Sequence, residues 1–506
     1  MTLFLLLSAI ILTPALAALI AARSRSDEAA RRVALAGAAL TALLSLAPLA
    51  LLGGAGVAAD AIGPAVPLLG VRLRLGLGLD GYSVALLPLL GFMLVALIGA
   101  GPRTALDRGT VAALLATCSA ILGVYCAADL AVLAVAWTAA LLPGQRLIAR
   151  KSPGDQLLRR TYRIFLVGGT APLVLAIGVM AWLGARRGAA LPFDVEELAR
   201  VGVPEAWQSP LFALVGIAVL MRMAAVPFHG WLPVLLERGP LGVTVLLAEM
   251  QVGVCVLVHV AVPLLPAACA EQMPILAALG LFSALHGSIL ALTQTDLRRM
   301  IGYLVASQKG LVLLGVASMN AQSLSGALLQ SFASSIAITG VAMVVWALEA
   351  RTGTADMREL GGLVARTPRM AAFFFLLVCA AIGFPGALSF VSEDLLLHGI
   401  LHVHPVLSIL MLGATALNGI TMFRAFQRTF LGPIPPGARS AGKMEALLFR
   451  ERAALLSLLA LTVALGIAPS RLLALHEPVV QRVLGPRAQE GDVARLERTS
   501  SVATSP

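Results

Sequence analysis

Windows of about 20 apolar residues recur along the whole chain, the length an α-helix needs to cross a hydrocarbon core ~30 Å thick. In such a core each backbone N–H and C=O must find its partner inside the protein, which leaves helices and closed barrels. The windows are continuous runs without strict alternation and are too long for strands, so helices are expected. About fourteen occur, near 2–22, 33–53, 82–101, 110–126, 128–149, 162–184, 208–236, 243–266, 272–294, 299–318, 324–349, 370–400, 404–427 and 453–470. Only 12% of residues are charged, against about 25% in soluble domains, so no separate soluble domain is expected. The chain reads as an all-α polytopic membrane protein with one transmembrane domain over 1–482. A polar tail over 483–506 has the composition of disorder.

The net charge of +11 raises nucleic acid as a partner, but its distribution excludes that. Basic residues crowd into alternate loops: Arg23 to Arg32, Arg103 and Arg108, Arg146 to Arg160, Arg298 and Arg299, Arg351 to Arg369, and Arg428 to Arg452. The positive-inside rule accounts for this pattern and places both termini on the outer side of a cell inner membrane. The first apolar run has no basic residue before it and arginines after it, the reverse of a signal peptide, so it reads as a retained helix. The five cysteines have no CxxC or Cys/His spacing and fit small core residues. No metal site is expected.

Two of the windows contain breaks. Pro227, within RMAAVPFHGWLP, removes a backbone donor and interrupts the seventh segment, with His229 and Trp231 just beyond it. Pro385, within GFPG, does the same in the twelfth. Paired broken helices in corresponding positions are the mark of inverted repeats that build ion sites near the bilayer midplane. The first repeat spans about 110–266 and the second about 272–427.

These stretches carry a resemblance. PFHGWLP, RLRLGLGLDGYS (72–83), LTQTDLRRMIGY (292–303), LGGLVARTPRMAAFF (360–374), GFPGALSFVSED (383–394) and LGIAP (465–469) stand in the order and spacing of the antiporter-like membrane subunits of complex I. The resemblance is to subunit M, or chain 4, which is related to Mrp antiporter and energy-converting hydrogenase subunits. It implies two inverted five-helix repeats with helices 7 and 12 broken, and a proton pathway through buried charges.

Carried over residue by residue, that pathway is altered. Thr138 stands where the family has a glutamate in helix 5; its hydroxyl can bond a helix carbonyl but does not titrate. Arg222 stands for the family's lysine in helix 7, and arginine stays protonated where a lysine can release its proton. Gly253 replaces a titratable residue of helix 8, and Glu249, one turn earlier, is expected to pair with Arg222. In helix 10, Gln308 occupies a position that is often histidine and Lys309 follows it. In helix 11, Ser334 replaces a second histidine. Glu393 matches the family's terminal carboxylate and Asp394 adds another. Asp80 is expected to cap the third helix, and His259 to be a satisfied interfacial histidine.

The expected proton pathway is therefore Arg222, Glu249, Lys309 and Glu393, supported by Pro227, His229, Trp231, Pro385, Thr138, Gln308 and Asp394. The implied function is a proton-translocating membrane subunit of a complex I-type NADH:quinone oxidoreductase, without a cofactor of its own. Its partners would be other membrane subunits, the lipid bilayer and protons. The same fold would serve an inorganic-carbon uptake pair, a Mrp-type antiporter carrying Na+, a hydrogenase arm, or a non-pumping scaffold.

Overall fold

The computed structural model describes residues 2–52, 59–61, 65–68, 71–433 and 445–485. The expected tail falls outside these residues from 486 onward, as does 434–444 of the basic loop between the last two apolar windows.

The chain opens with α1 (Thr2–Arg23), α2 (Asp27–Leu52), α3 (Gly81–Ala100) and α4 (Arg108–Tyr125). The first repeat continues through α5 (Leu130–Ala139), α6 (Leu142–Lys151), α7 (Gln156–Arg186), α8 (Val195–Val201), α9 (Glu205–Arg222), α10 (Trp231–Arg238), α11 (Leu241–Glu249), α12 (Val252–Val256) and α13 (Val262–Leu264). The second contains α14 (Pro266–Thr293), α15 (Leu297–Ala317), α16 (Ala321–Thr352), α17 (Pro368–Ala381), α18 (Leu388–Val403) and α19 (Pro405–Phe426). The closing helices are α20 (Phe449–Ile467) and α21 (Ser470–Leu484). Between α2 and α3, β1 (Ala59–Ala61) pairs antiparallel with β4 (Leu77–Leu79), and β2 (Ala65–Leu68) with β3 (Val71–Arg74).

The fold class is the expected one, an all-α bundle with its two repeats interrupted at Pro227 and Pro385. The count of fourteen is not reached by unbroken helices. Among the described residues eleven are long and apolar enough to span a bilayer, or twelve if α20 and α21, bent by 70°, are taken together. The seventh and twelfth windows fall out of that count because each is split in two. The last helix also extends to Leu484, past the expected domain end at 482.

α15 and α16 lie at the centre, their apolar windows almost wholly buried, whereas α1, α2 and α19 keep most of theirs on the surface. A helix apolar all round belongs in such a core. α15 packs closely on α14: a Cβ on Gly280 would lie 2.8 Å from the Gly310 carbonyl, and one on Gly287 2.8 Å from that of Tyr303. Small residues allow that backbone approach, as is usual between membrane helices. At the end where the basic loops gather, ion pairs tie the helices together. Arg298 Nη1 lies 3.1 Å from Glu349, Arg299 Nη1 3.0 Å from Glu237, and Arg351 Nη2 2.6 Å from Glu451.

At the opposite end Asp80 caps α3, accepting from the Tyr82 and Ser83 amides, as expected. His259 Nε2 lies 2.5 Å from its other oxygen, so His259 is satisfied. Burial alone would raise the Asp80 carboxyl, but His259 and the helix amides outweigh that and hold it well below the usual carboxylate range.

Candidate functional site

The site grows from helix ends inside the bundle. Where a helix stops in an apolar interior its last carbonyls lose their partners and must find others.

At the first break α9 ends at Arg222, and Ala224 takes the left-handed conformation at φ 50°. A non-glycine residue there costs roughly 1–2 kcal/mol, the kind of strain that collects at functional sites. The freed carbonyl of Met221 accepts from Trp231 Nε1 at 2.7 Å, and the Val226 amide donates to Ser283 Oγ of α14 at 2.8 Å. Trp231 is thus a structural cap of the break. His229 lies in the gap with its ring edge-on to His286 at 4.9 Å, and its Nδ1 has no protein partner.

The second break repeats the device. α17 stops at Ala381, and Gly383 and Gly386 take φ of 76° and 96° across the Pro385 turn. Ser389 Oγ donates to the Ala380 carbonyl, and Gln308 Nε2 to that of Ala381 at 3.1 Å. Gln308 in turn accepts from Gln330 Nε2 at 3.0 Å, and Gln330 accepts from Ser392 Oγ. A buried chain of polar side chains therefore crosses from α15 through α16 to α18. The Glu393 carboxylate folds back onto the same turn, with Oε2 2.9 Å from where a Cβ on Gly383 would stand. Asp394 points away; it is exposed and 3.3 Å from His398.

A third break was not expected. The eighth segment stops at Glu249 and restarts at Val252, and residues 257–261 form a π turn. Ser335 Oγ of α16 caps the freed Glu249 carbonyl at 2.7 Å. Gln251 is fully buried, and neither atom of its amide has a partner among the described residues. Gly253 is explained by packing: a Cβ there would meet Met223 Cγ at 2.6 Å. A side chain here would require the Met223 side chain to move.

Arg222 departs from expectation. Among the described residues no carboxylate lies within ion-pairing distance of its guanidinium, so the Arg222–Glu249 pair does not form. The guanidinium stands over the Trp137 ring at 4.7 Å from its centroid and 5.9 Å from that of Phe165. Phe165 stacks on Trp231 at 3.7 Å, and Trp137 Nε1 is fixed by the Gly169 carbonyl at 2.5 Å. A desolvated cation–π contact contributes about 2 kcal/mol, most of the ~2.5–3.5 kcal/mol insertion cost of a central arginine. Aromatic faces thus take the place of the missing acid of helix 5. Thr138 back-bonds to the Ala134 carbonyl at 2.8 Å, as its residue type suggested.

Glu249 instead faces the other repeat. The charge that acts on it is Lys309 of α15, while Lys309 feels the attraction of Glu249 and the repulsion of Arg222. Both side chains are buried, and neither Lys309 Nζ nor Glu249 Oε1 has a hydrogen-bond partner among the described residues. No described contact closes them into an ion pair within 4.0 Å. Arg222, Glu249 and Lys309 are all buried, and Glu393 stands at the second break. Trp137, Gln251, Gln330, Ser335 and Ser392 were missed from the sequence. An apolar helix carrying glutamine or tryptophan at its middle was the one signal that could have flagged three of them.

Residues 127–418 match the profile of the family described as NADH:quinone oxidoreductase/Mrp antiporter, TM. The chain is 29% identical to F(420)H(2) dehydrogenase subunit M of Methanosarcina mazei over 72% of its own length and 75% of that protein. It is 27% identical to NADH-quinone oxidoreductase subunit M of Escherichia coli K12 over 81% of its length and 82% of that protein. Respiratory complex I from Thermus thermophilus contains a chain with the same fold, at TM-score 0.85 and 25% identity, covering 95% of this chain and all of that one. The Mrp complex from Dietzia contains another, at TM-score 0.80 and 17% identity, over 97% and 99% of the two chains.

Proposed function

The chain belongs to the NADH:quinone oxidoreductase/Mrp antiporter membrane family, and from that premise we propose that it is the proton-translocating subunit of a complex I-type assembly, coupling quinone reduction to proton transport. The observation that carries this reading is the Glu249–Lys309 couple: an acid and a base buried on α11 of the first repeat and α15 of the second, with Glu249 Oε1 and Lys309 Nζ left without a hydrogen-bond partner among the described residues. Charges held this way can be biased by a small rearrangement, which a fully neutralised pair resists. The three breaks supply the place for such a rearrangement, since each is held by only one or two side-chain caps.

The residues we assign to proton movement are Lys309 and Glu249 at the centre and Glu393 at the second break. Arg222 acts as a fixed positive charge that biases Lys309, because a guanidinium does not release its proton at accessible pH. Its aromatic surroundings support that role over a relay.

Inside-out vesicles test the proposal. A strain lacking this chain should lose quinone-coupled proton uptake while its quinone-independent donor oxidation continues. The tagged chain should also bring quinone-reducing subunits with it on purification. Undiminished coupled uptake in the deletion strain would sink the reading. A scaffold role is the competing outcome, favoured by the absence of a carboxylate beside Arg222; it requires that uptake survive replacement of Lys309 in an assembled complex.

The chain is a multi-pass membrane protein, and we further propose that both termini face the outer compartment, on the strength of the alternating basic loops. A single cysteine placed between 146 and 160 should react with an impermeant maleimide only in inside-out vesicles. Labelling in intact cells would reverse the orientation.

A further inference from the structure

A groove of about 760 Å³ runs between α2, α3 and α20 on the periphery of the bundle. One end lies where basic loops meet. There Arg31, Arg32, Arg103 and Arg450 converge from three helices or their ends. The other end runs along Leu35 of α2, which keeps most of its apolar window on the surface, and half-buried Phe92 of α3.

The charges are only partly spent within the protein. Glu28 is engaged by Arg32 at 3.7 Å, and Asp27 accepts from the Arg108 amide. Arg31 gives one N–H to the Gly99 carbonyl at 2.8 Å. Arg103 and Arg450 have no acidic partner among the described residues, and Arg450 Nη1 is buried without any hydrogen-bond partner. A buried guanidinium nitrogen left in this state needs an acceptor. A cationic end continuous with an apolar trough at membrane depth matches an anionic headgroup with acyl chains below it.

We propose that this groove binds one anionic phospholipid of the surrounding bilayer, its phosphate held by Arg103 and Arg450 and its chains laid along Leu35 and Phe92. The trough argues for a lipid over a free phosphate, which would use the arginines alone. It also argues for a lipid over an acidic segment of another subunit, because Leu35, Phe92 and Val95 offer an acidic chain no polar partner.

Native mass spectrometry of the full-length chain, purified with its accompanying subunits and titrated with phosphatidylglycerol or phosphatidylcholine, tests this. One phosphatidylglycerol should bind with a clear preference over phosphatidylcholine. Each basic residue near an anionic headgroup contributes roughly fivefold in affinity, so Arg103→Gln with Arg450→Gln should weaken that binding about thirtyfold and erase the preference. Ala453→Trp, which fills the trough from an exposed position, should displace the lipid with the arginines intact. Equal binding of the two lipids by the wild type would overturn the proposal, as would a preference that survives in both variants. So would dissociation of a subunit by Ala453→Trp with the lipid count unchanged, which would mark the groove as a protein interface.

Discussion

Lys309→Met is expected to slow the protonation-linked step of this subunit by about 10²-fold or more, the scale on which a positioned proton carrier contributes, while the assembly still forms. Lys309 Nζ is buried in α15 with no partner among the described residues, facing the field of Glu249 and the opposing field of Arg222. Methionine is similar in length and fills the same space among apolar neighbours. It also removes an ammonium that costs at least ~2.5 kcal/mol on insertion scales, so yield should not fall. The measurement is proton uptake per quinone reduced in inside-out vesicles, normalised to assembled complex. Glu393→Gln should reduce uptake as well, since Glu393 folds onto the turn whose carbonyls Gln308 and Ser389 hold. Normal uptake in both variants, with assembly intact, would leave the scaffold role standing.

The second large effect is on stability, and it separates two pairings. Glu249→Ala should lower the stability of the protein by roughly 3 kcal/mol, the scale for removing one partner of a buried couple, because Lys309 would then feel only the repulsion of Arg222. Lys309→Met should cost less, since the carboxyl left behind can take a proton and become neutral. In the double variant much of the Glu249→Ala loss should return, giving a coupling of about 1–3 kcal/mol. The same cycle between Arg222 and Glu249 should come out close to additive, because Arg222 is held by Trp137 and Phe165. Thermal unfolding in detergent reads all of these variants. Strong coupling of Glu249 to Arg222, with none to Lys309, would contradict the structure.

Several features of this protein were already determined in its sequence. The apolar runs set the helices, and Pro227 and Pro385 set two breaks. Asp80 as a cap and Thr138 as a back-bonding hydroxyl also followed from residue type and position. All of these depend on interactions within a few residues, or on the burial of a whole segment in lipid, and both leave a local pattern.

The tertiary structure decided the rest. The break after Glu249 has neither proline nor glycine at the interruption, and what holds it is Ser335, 86 residues away. Gly253 looked like a lost titratable residue and proves to be the space that Met223 occupies. From the sequence Glu249, one turn before Gly253 and the only carboxylate inside helix 8, pairs with Arg222, yet the field it meets is that of Lys309 in the second repeat. A charge inside a membrane protein has too few partners to be satisfied by sequence neighbours, so its role is fixed by whichever helix packs beside it. Helix periodicity says which residues share a face, but only packing says what that face meets.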